Sequence, residues 1–283
     1  MPQRLPDVPY LAQRQGCLSS AGALALGSAL PPRHHVPMQI TGIDVGGTGI
    51  KGAQVDTETG ELLTKRQRML TPQPATPAAV AEAVAEMVAA CGSEGPVGVG
   101  FPAAMRDGVA LTASNLHPSF VGVDVAALLT AACGRPVAVL NDADAAGLAE
   151  ASFGAARGQA GTVLVITVGT GLGTALCVDG RLVPNTEFGH VLLHGDIAEA
   201  YASDSARKRD DLNWKTWAGR FDEYLQHLRS ILYPSRFVIG GGAAKKFERF
   251  GPHLTVETPV VPATLGNQAG LVGAAMHAER ELG

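Results

Sequence analysis

The sequence predicts an α/β protein with two lobes on either side of a central cleft. Strand-like and helix-like segments alternate along the chain, which is typical of layered α/β folds. Glycine-rich turns follow two of the buried strands, and the pattern around the first turn returns in the second half. With 283 residues, 46% of them hydrophobic, the chain is long enough to bury a core in each lobe.

The first half contains strands and helices that can build one lobe. Apolar runs predict strands, and apolar residues at helical spacing between a Thr76 cap and Gly92 predict a helix. The expected elements are strands at 40–45, 50–55 and 61–70, a helix at 77–91, a strand at 97–101, a helix at 125–132, a strand at 136–140 and a helix at 143–153.

The second half repeats the opening order of strand, glycine turn, strand, turn and strand. Ile43 corresponds to Ile166 and Gly46 to Gly169, and an internal duplication accounts for this better than chance. The expected elements are strands at 162–168, 174–178 and 181–183, a long amphipathic helix at 211–232, a strand from 236 into the glycine turn 240–242, and a helix at 268–282.

The domain organisation follows from these elements. Residues 1–37 are rich in proline and show no sustained period, so we expect a disordered N-terminal extension. Met38 lies directly before the first strand, so a chain that starts there would contain the whole domain. We expect a first lobe at 38–140 and a second at 141–267, with a helix at 268–283 that packs back on the first lobe.

Composition argues against several function classes. The net charge of −4 provides no broad basic face for nucleic acid, and the apolar run Ala21–Leu30 is too short to span a membrane. No Cys-x-x-Cys pair occurs, so neither a zinc site nor a disulfide framework is expected. Isolated, core-directed cysteines are typical of a reducing compartment, so we expect a cytoplasmic protein. The four cysteines are Cys17, Cys91, Cys133 and Cys177.

The segment Asp44–Lys51 has the composition of a phosphate-binding turn. Gly46 and Gly47 let backbone N–H groups approach a phosphate. Thr48 and Lys51 add a hydroxyl and a cation, and Asp44 can hold the water shell of Mg²⁺. The alternative is an ordinary glycine hairpin.

A second glycine turn, Gly169–Gly173, stands in the matching place of the second half and contains Thr170 and Gly171. Two such turns facing one cleft form a clamp for phosphates that neither forms alone. The second turn leads into a strand, whereas Walker and dinucleotide-binding motifs open a helix.

The segment Leu140–Asp144 delivers polar side chains from the end of a strand into the predicted cleft. Asp142 can accept the proton of an attacking hydroxyl group, and Asn141 can fix a neighbouring hydroxyl. Asp142 can instead be a plain helix N-cap, and Asp144 can be the base. We favour Asp142 as the base because it follows the strand end directly.

Two further segments contain residues that suit sugar hydroxyls. Glu187 and His190 are three residues apart and would point to one side of a helical turn, although such a pair is also common on solvated helices. Asn115 lies in a loop before Pro118, where it can bind a hydroxyl or serve as a turn residue.

Basic residues occur near two tryptophans of the second half. The run 207–209, together with Lys245 and Lys246, could line a track for a polyanion beside Trp214 and Trp217. The alternative is ordinary solvated charge, since aspartates flank the run.

Together these residues resemble the ROK family (repressors, open reading frames and kinases) over residues 38–283. The family motifs are Ile43–Gly52, Gly98–Pro102, Ser114–Pro118, Leu140–Asp144, Val168–Thr174, Asn185–His190 and Val238–Gly242. The segments similar to the polyphosphate-using branch of the family are Tyr201–Arg207, Asp211–Trp217 and Val261–Leu265.

The resemblance implies an actin-like ATPase (ribonuclease H-like) fold and a kinase that phosphorylates the 6-hydroxyl of glucose, or of mannose. It implies that Asp142 is the general base and that the hexose is bound by Asn115, Asn141, Glu187 and His190. It also implies that donor phosphates and Mg²⁺ are held by Asp44, the turn Gly46–Thr48, Thr170 and Gly171, with Gly240, Gly241 and Gly242 near a nucleotide base when one is present.

The expected donor is inorganic polyphosphate, with ATP as a second donor, and a strictly ATP-dependent hexose kinase is the alternative. Many family members carry a cysteine-rich zinc segment after the Gly-His pair, but Val191–Asp196 contains no cysteine, so zinc is not expected. A repressor of this family needs an N-terminal DNA-binding domain of roughly 60–80 residues, for which residues 1–37 are too few. The apolar face of the helix at 211–232 is compatible with a homodimer, although a monomer's core would use the same face.

Overall fold

The computed structural model describes residues 39–92 and 94–283. The expectations for residues 1–37 and for a start at Met38 therefore lie outside the described residues. Along the described part of the chain, no helix is both long and apolar enough to cross a bilayer.

The first half of the chain contributes a mixed sheet with a central strand that pairs antiparallel on one side and parallel on the other. The elements are β1 (Ile40–Val45), β2 (Ile50–Val55), β3 (Gln67–Met69), α1 (Pro77–Cys91), β4 (Val97–Phe101), β5 (Met105–Arg106), β6 (Val109–Ala110), α2 (Val125–Cys133), β7 (Val137–Asn141) and α3 (Asp142–Phe153). The strand order in this sheet is β3-β2-β1-β4-β7.

The second half contributes a sheet of the same kind. The elements are β8 (Thr162–Val168), β9 (Leu172–Val178), β10 (Arg181–Val183), β11 (Leu192–Leu193), β12 (Asp196–Ile197), α4 (Ala198–Ala202), α5 (Asp204–Arg209), α6 (Trp214–Leu232), β13 (Arg236–Gly240), α7 (Gly241–Ala244), α8 (Phe247–Phe250), β14 (Val260–Pro262) and α9 (Ala269–Leu282). The strand order is β10-β9-β8-β13-β14.

The two sheets therefore share one strand order and one pattern of chain directions. This agreement is much closer than the sequence similarity between the halves, and it confirms the predicted duplication of one α/β unit. The lobe boundaries at 38–140 and 141–267 stay a prediction.

Capping residues in the sequence predicted the ends of several helices correctly. The Thr76 hydroxyl accepts the N–H of Ala79 at the start of α1, and Gly92 ends that helix in the left-handed region with φ 69°. Asp124 caps α2 in the same way, by accepting the N–H of Ala127. Such caps satisfy backbone groups that a helix end would otherwise leave without partners.

Two predicted elements were clearly wrong in extent. The strand expected at 61–70 is reduced to the three residues of β3. The helix expected from Asp211 begins at Trp214, because Asp211 has a φ of 48° and the Asn213 side chain caps the helix by accepting the N–H of Thr216.

The core of the second half lies under α6, whose apolar face is buried within this chain. Trp217 and Phe221 stack with ring centroids 4.8 Å apart, and Phe250 meets Trp217 edge-on at 5.0 Å. All three side chains are fully buried. The face that the sequence offered for a homodimer is therefore used by the chain's own core.

Helix α9 lies directly on the first sheet, against β1 and β4, and also packs on α3. Glycines in the strands permit this close approach, since a Cβ at Gly98 would lie 1.8 Å from the Ala274 carbonyl oxygen and one at Gly42 would lie 2.1 Å from that of Leu271. Helix α3 also contacts β9 of the second sheet. Its first residue, Asp142, is thus held where the two halves meet.

Candidate active site

A cleft of about 390 Å³ lies between the two halves. Its lining comes from the turn after β1, the turn after β8, the junction of β7 with α3, and the segment before β11. Residues from distant parts of the sequence thus meet at the ends of strands, where α/β proteins usually bind ligands. The predicted site residues that line it are Gly46, Gly47, Thr48, Asn115, Asn141, Asp142, Thr170, Gly171, Glu187, His190 and Gly241.

The first glycine turn closes the β1–β2 hairpin, with the Gly46 N–H donating to the Gly49 carbonyl at 3.1 Å. Thr71 donates its hydroxyl to the Gly46 carbonyl and fixes the turn from outside. A Cβ on Gly47 would lie 2.9 Å from the Cβ of Asn115, so the missing side chain lets the Asn115 loop rest on the turn.

The second glycine turn is closed by the Gly169 N–H, which donates to the Gly171 carbonyl at 3.0 Å. The N–H of Leu172 donates to Oε2 of Glu199 at 2.8 Å. A Cβ on Gly171 would fall 2.2 Å from that same oxygen, so a side chain at this position would displace the Glu199 carboxylate. The Glu199 carboxylate therefore lies at the cleft, next to the backbone of this turn.

Asn141 is the N-cap of α3, a role that the sequence also allowed for Asp142. Its Oδ1 accepts the N–H groups of Ala143 at 2.8 Å and Asp144 at 3.0 Å. Its Nδ2 donates to the Ala103 carbonyl at 3.1 Å. Capping occupies the amide oxygen and the Ala103 carbonyl takes one N–H of the amide nitrogen, so the second N–H is the part of Asn141 that remains to bind a ligand.

Asp142 is the first residue of α3 and lines the cleft. Burial raises the pKa of its carboxyl from 3.8 to about 7, helped by the nearby charges of Asp44 and Glu187 and opposed by the N–H of Ala143. A carboxylate with a pKa near neutrality is a much better proton acceptor than an ordinary aspartate.

Asp144, the competing base, does not line the cleft and has only 1% of its surface exposed. Its Oδ2 accepts the N–H of Asn185 at 2.7 Å, and its Oδ1 has no partner within the described residues. Burial raises its pKa to about 7 as well. Both carboxyls thus have a raised pKa, but only Asp142 is placed to contact a ligand in the cleft.

The segment before β11 is held by bonds to both halves of the chain. The Asn185 amide pairs with the backbone of Met105, accepting its N–H and donating to its carbonyl, each at 2.7 Å. Thr174 of β9 accepts the N–H of Phe188 at 3.0 Å and donates to the Thr186 carbonyl. These bonds fix the backbone of the segment that carries Glu187 and His190.

Glu187 and His190 both line the cleft, on either end of a 3₁₀ turn. The expected helical turn is therefore a tighter one, and both side chains still face the cleft. Burial raises the pKa of Glu187, opposed by the nearby His190 and helped by the charge of Glu199. The site thus contains a carboxyl that can accept a hydrogen bond and a ring that can donate one, side by side.

Four of the predicted donor-site residues do not line the cleft, namely Asp44, Lys51, Gly240 and Gly242. Lys51 forms an ion pair with Asp44, with Nζ 2.6 Å from Oδ2, so its charge is already partly balanced. Of the glycine turn after β13, Gly241 alone reaches the lining. The phosphate-binding roles given to these residues stay predictions.

The fit of Mg²⁺ can be judged from the donor atoms. Among the described residues, no group of three or more His, Cys, Asp or Glu side chains is arranged to hold a metal ion. Mg²⁺ usually keeps several waters and binds one or two carboxylates together with substrate phosphates. The charge of Asp44 lies close enough to Asp142 to raise the pKa of its carboxyl, so these two residues fit Mg²⁺ that arrives with a phosphate chain.

Each cation of the basic run at 207–209 has a carboxylate partner within the fold. Asp204 pairs with Arg207 and Lys208, each at 2.7 Å. Asp210 pairs with Arg209 at 2.8 Å. The two carboxylates that flank the run in sequence therefore pair with its three cations in space and offset part of their charge.

The two tryptophans beside this run already have contacts within the chain. Trp217 is fully buried, and the Arg207 guanidinium lies over the Trp214 ring at 4.3 Å. Together with the ion pairs, this arrangement favours ordinary structural charge over a polyanion track at 207–217.

A profile of the ROK family matches residues 40–206, which is more than half of the chain. The chain belongs to the ROK family. Polyphosphate glucokinase of Mycobacterium tuberculosis is 46% identical over 236 residues, covering 83% of this chain and 89% of the relative.

Solved ROK structures agree with this membership. An inorganic polyphosphate/ATP-glucomannokinase from Arthrobacter sp. strain KM superposes with a TM-score of 0.84 and 49% identity, covering 86% of this chain and 99% of that one. A ROK family glucokinase from Streptomyces griseus, in complex with glucose and AMPPNP, has a TM-score of 0.74 and 25% identity, with coverage of 86% and 99%. The expected actin-like ATPase fold of ROK sugar kinases is thereby confirmed.

Two residues that shape the site were given no role by the sequence analysis. Glu199 lines the cleft and accepts a backbone N–H of the second glycine turn. Asn185 links the segment before β11 to the first half through Met105. Asn185 could have been found from the sequence, because it is the first residue of the Asn185–His190 motif. Glu199 could not, because it lies in a short helix that no sequence pattern indicated.

Proposed function

We propose that this protein is a sugar kinase that transfers a phosphoryl group from inorganic polyphosphate, and from ATP as a second donor, to the 6-hydroxyl of glucose. The observation that supports it best is the placement of Asp142, with its pKa raised to about 7, in a cleft between two glycine turns. The similarity to a polyphosphate glucokinase and to a polyphosphate/ATP-glucomannokinase supports the choice of donor and acceptor.

Asp142 is the general base of this proposal. Its carboxylate takes the proton of the sugar 6-hydroxyl as the oxygen attacks the terminal phosphorus of the donor. The O–P bond to the sugar forms while the bond to the remaining phosphate chain breaks, and that chain leaves with the bonding electron pair. A base with a pKa near 7 is largely ionised above neutrality and still holds a proton well, which is the compromise that general base catalysis requires.

The glycine turns hold the donor. The backbone of Gly46–Thr48 lines one side of the cleft and that of Thr170–Gly171 lines the other. Backbone amides in such turns can donate to phosphate oxygens without a side chain in the way, and they need no reorganisation as charge develops during transfer. Positioning and charge stabilisation are most of what phosphoryl transfer demands.

Asp44 is the residue that would hold Mg²⁺ through water, with Asp142 near it. When bound with the donor, the cation supplies positive charge to the phosphate oxygens. Lys51 lies beside Asp44, with its Nζ 2.6 Å from Oδ2. In this proposal the lysine orients the Asp44 carboxylate and adds one more positive charge near the donor.

The hexose is bound by Asn115, Glu187 and His190, with the amide nitrogen of Asn141. Glu187 accepts from one sugar hydroxyl, and His190 bonds to its neighbour. Because the 185–190 segment is bonded to Met105 of the first half and to Thr174 of the second, approach of the two halves would tighten this set around the sugar. Binding of this kind places the reacting hydroxyl near Asp142 and reduces the entropy cost of the reaction.

A donor and acceptor comparison tests the proposal. Purified protein with Mg²⁺ is given glucose or mannose, and separately ATP or long-chain polyphosphate, and formation of hexose 6-phosphate is measured. A clear rate from polyphosphate to glucose is expected. Phosphorylation with ATP and none above background with polyphosphate would remove the donor assignment, and no hexose 6-phosphate from any pair would remove the kinase.

A further inference from the structure

The edge of the first sheet carries positive charge that the site described so far does not use. Strand β3 is an edge strand of that sheet, with the exposed residues Lys65 and Arg66 directly before it and the exposed Arg68 within it. We call these three residues the β3 basic edge. Arg66 donates to the Asn267 carbonyl at 3.4 Å. Within the described residues, neither Lys65 nor Arg68 has an ion-pair or hydrogen-bond partner.

Arg68 lies directly against the first glycine turn. A Cβ built on Gly49 would be 3.1 Å from Nε of Arg68 and 3.3 Å from its Nη2. The guanidinium therefore packs over the backbone of the same turn whose residues Gly46–Thr48 line the cleft. An unpaired positive charge is thus held next to the predicted phosphate-binding backbone.

The strand register extends this contact into a row of charges. Asp44 is opposite Lys51 in the β1–β2 pair, and Lys51 is opposite Arg68 in the β2–β3 pair. Opposite residues in neighbouring strands present their side chains on the same face of the sheet. The row thus contains Asp44, the predicted Mg²⁺ residue, then Lys51, which is paired with Asp44, and then Arg68, which has no partner among the described residues.

The charge continues away from the cleft. Arg66 precedes Arg68 by two residues and lies just before β3, on the side away from the glycine turn. Lys65 and Arg66, together with Asn267 and Gln268, border an open cavity of about 530 Å³. Arg68 lies at the glycine turn and Arg66 at this cavity, and we call the surface from the one to the other the basic strip.

We propose that the β3 basic edge is the subsite for the outer phosphates of a polyphosphate chain. The inference rests on the proposed function, because the chain enters this subsite when its terminal phosphate is at the glycine turns. Arginine binds phosphate oxygens through a planar fork of N–H donors, and a linear polyanion can satisfy several such side chains in turn. ATP carries only three phosphates, so the outer part of the strip gives a long donor contacts that ATP lacks.

Protection against aggregation accounts less well for this charge. Charged side chains on an edge strand discourage pairing with another chain. That role requires only that the cations be exposed, and it does not require the contact between Arg68 and Gly49.

The two basic segments that the sequence offered in the second half are weaker candidates for the donor track. Lys245 and Lys246 are exposed, yet neither lines the cleft. The run 207–209 has its charges paired with Asp204 and Asp210.

The test compares neutral, similarly sized substitutions. Arg68→Gln probes the contact at the glycine turn, and the double variant Lys65→Gln/Arg66→Gln probes the outer part of the strip. Each protein is assayed with long-chain polyphosphate, tripolyphosphate and ATP, and equilibrium binding of the long chain is measured by calorimetry.

Two control variants separate the β3 basic edge from charge in general. Lys208→Gln removes an exposed lysine that has an aspartate partner, and it should behave like the parent. The double variant Lys245→Gln/Lys246→Gln removes the exposed lysine pair that the sequence offered as a competing donor track.

Arg68→Gln is expected to raise KM for long-chain polyphosphate about tenfold and KM for ATP by less than about twofold. The double variant Lys65→Gln/Arg66→Gln should raise KM for the long chain more than for tripolyphosphate. The dependence of long-chain binding on salt should weaken in both, because fewer counterions are released when fewer cations contact the chain.

Equal changes for ATP and polyphosphate, or an effect carried by the Lys245/Lys246 variant instead, would overturn the subsite while leaving the kinase in place. A parent protein that uses ATP but not polyphosphate would overturn the donor assignment itself, and that outcome is visible before any variant is compared.

Discussion

Replacing Asp144 with asparagine is expected to change how the stability of the protein depends on pH. Asp144 is 1% exposed, and burial raises the pKa of its carboxyl from 3.8 to about 7, with the Asn185 N–H lowering it and Glu187 raising it. The folded protein therefore holds this proton more tightly than the unfolded chain does. The resulting contribution to stability is fully present below about pH 4 and is lost as the pH rises through about 7.

The size of the effect follows from the two pKa values. A difference of roughly three pKa units corresponds to ~4 kcal/mol in the free energy of unfolding, of which about 2 kcal/mol is lost between about pH 5.5 and pH 8. Urea unfolding at these two pH values, for the parent and for Asp144→Asn, measures it. The parent should lose about 2 kcal/mol more than the variant over this interval.

An exposed aspartate provides the control. Asp107 stands in a turn at φ 50°, a conformation that asparagine also adopts readily, so Asp107→Asn should keep the pH dependence of the parent. If the free energies of the parent and of Asp144→Asn fell in parallel over the same pH interval, the perturbed ionisation of Asp144 would be refuted.

Three further predictions concern the site. Asn185→Ala removes both bonds to Met105, so kcat/KM for glucose should fall ~10- to 100-fold with an unchanged circular dichroism spectrum. Parent-like kinetics would show that this bridge does not position the sugar-binding segment. Gly171→Ala would place a Cβ 2.2 Å from a Glu199 oxygen, so KM for both donors should rise, and a donor titration that matched the parent would contradict the described turn. The pKa of about 7 for Asp142 predicts that kcat/KM rises with pH through about 7, since the carboxylate is the active form. A profile that stayed flat across neutral pH would contradict this assignment.

The halves of the fold could be predicted because each repeats a local pattern. Apolar runs, caps such as Thr76 and glycine turns are set by residues close in sequence, and the structure places them where those signals indicate. Short strands and short helices contain too few residues for a period to show, so β5, β6, β11, β12, β14, α4, α5 and α8 were not predicted. The predicted start of the helix at Asp211 was too early, because the apolar pattern does not show that the φ of this residue is non-helical.

Site residues could be predicted where a single segment of sequence shows both the strand end that positions a side chain and the functional group that the side chain carries. Asp142 follows a strand directly, and the glycine turns adjoin strands whose ends must meet in a two-sheet protein. The interpretation of the 207–217 segment needed pairings that the sequence does not display. Whether Lys208 is free depends on Asp204 facing it across one helical turn, and the charge of Asp210 is shared with Arg220 in another element.

Contacts between glycines and distant residues could not be predicted for the same reason. The neighbour of Gly171 is Glu199, and that of Gly49 is Arg68, and neither pairing follows from spacing along the chain. Both depend on how a helix or an edge strand packs against a turn. In this protein, such packing decides which charges lie near the donor.

The most direct test of the general base is phosphoryl transfer from polyphosphate to glucose by Asp142→Asn, with Asp144→Asn measured beside it. Loss of the base should lower kcat by about two to four orders of magnitude, while glucose binding by calorimetry stays close to that of the parent and Asp144→Asn retains most of its turnover. Near-normal turnover in Asp142→Asn, with the loss appearing in Asp144→Asn instead, would contradict the assignment of the base.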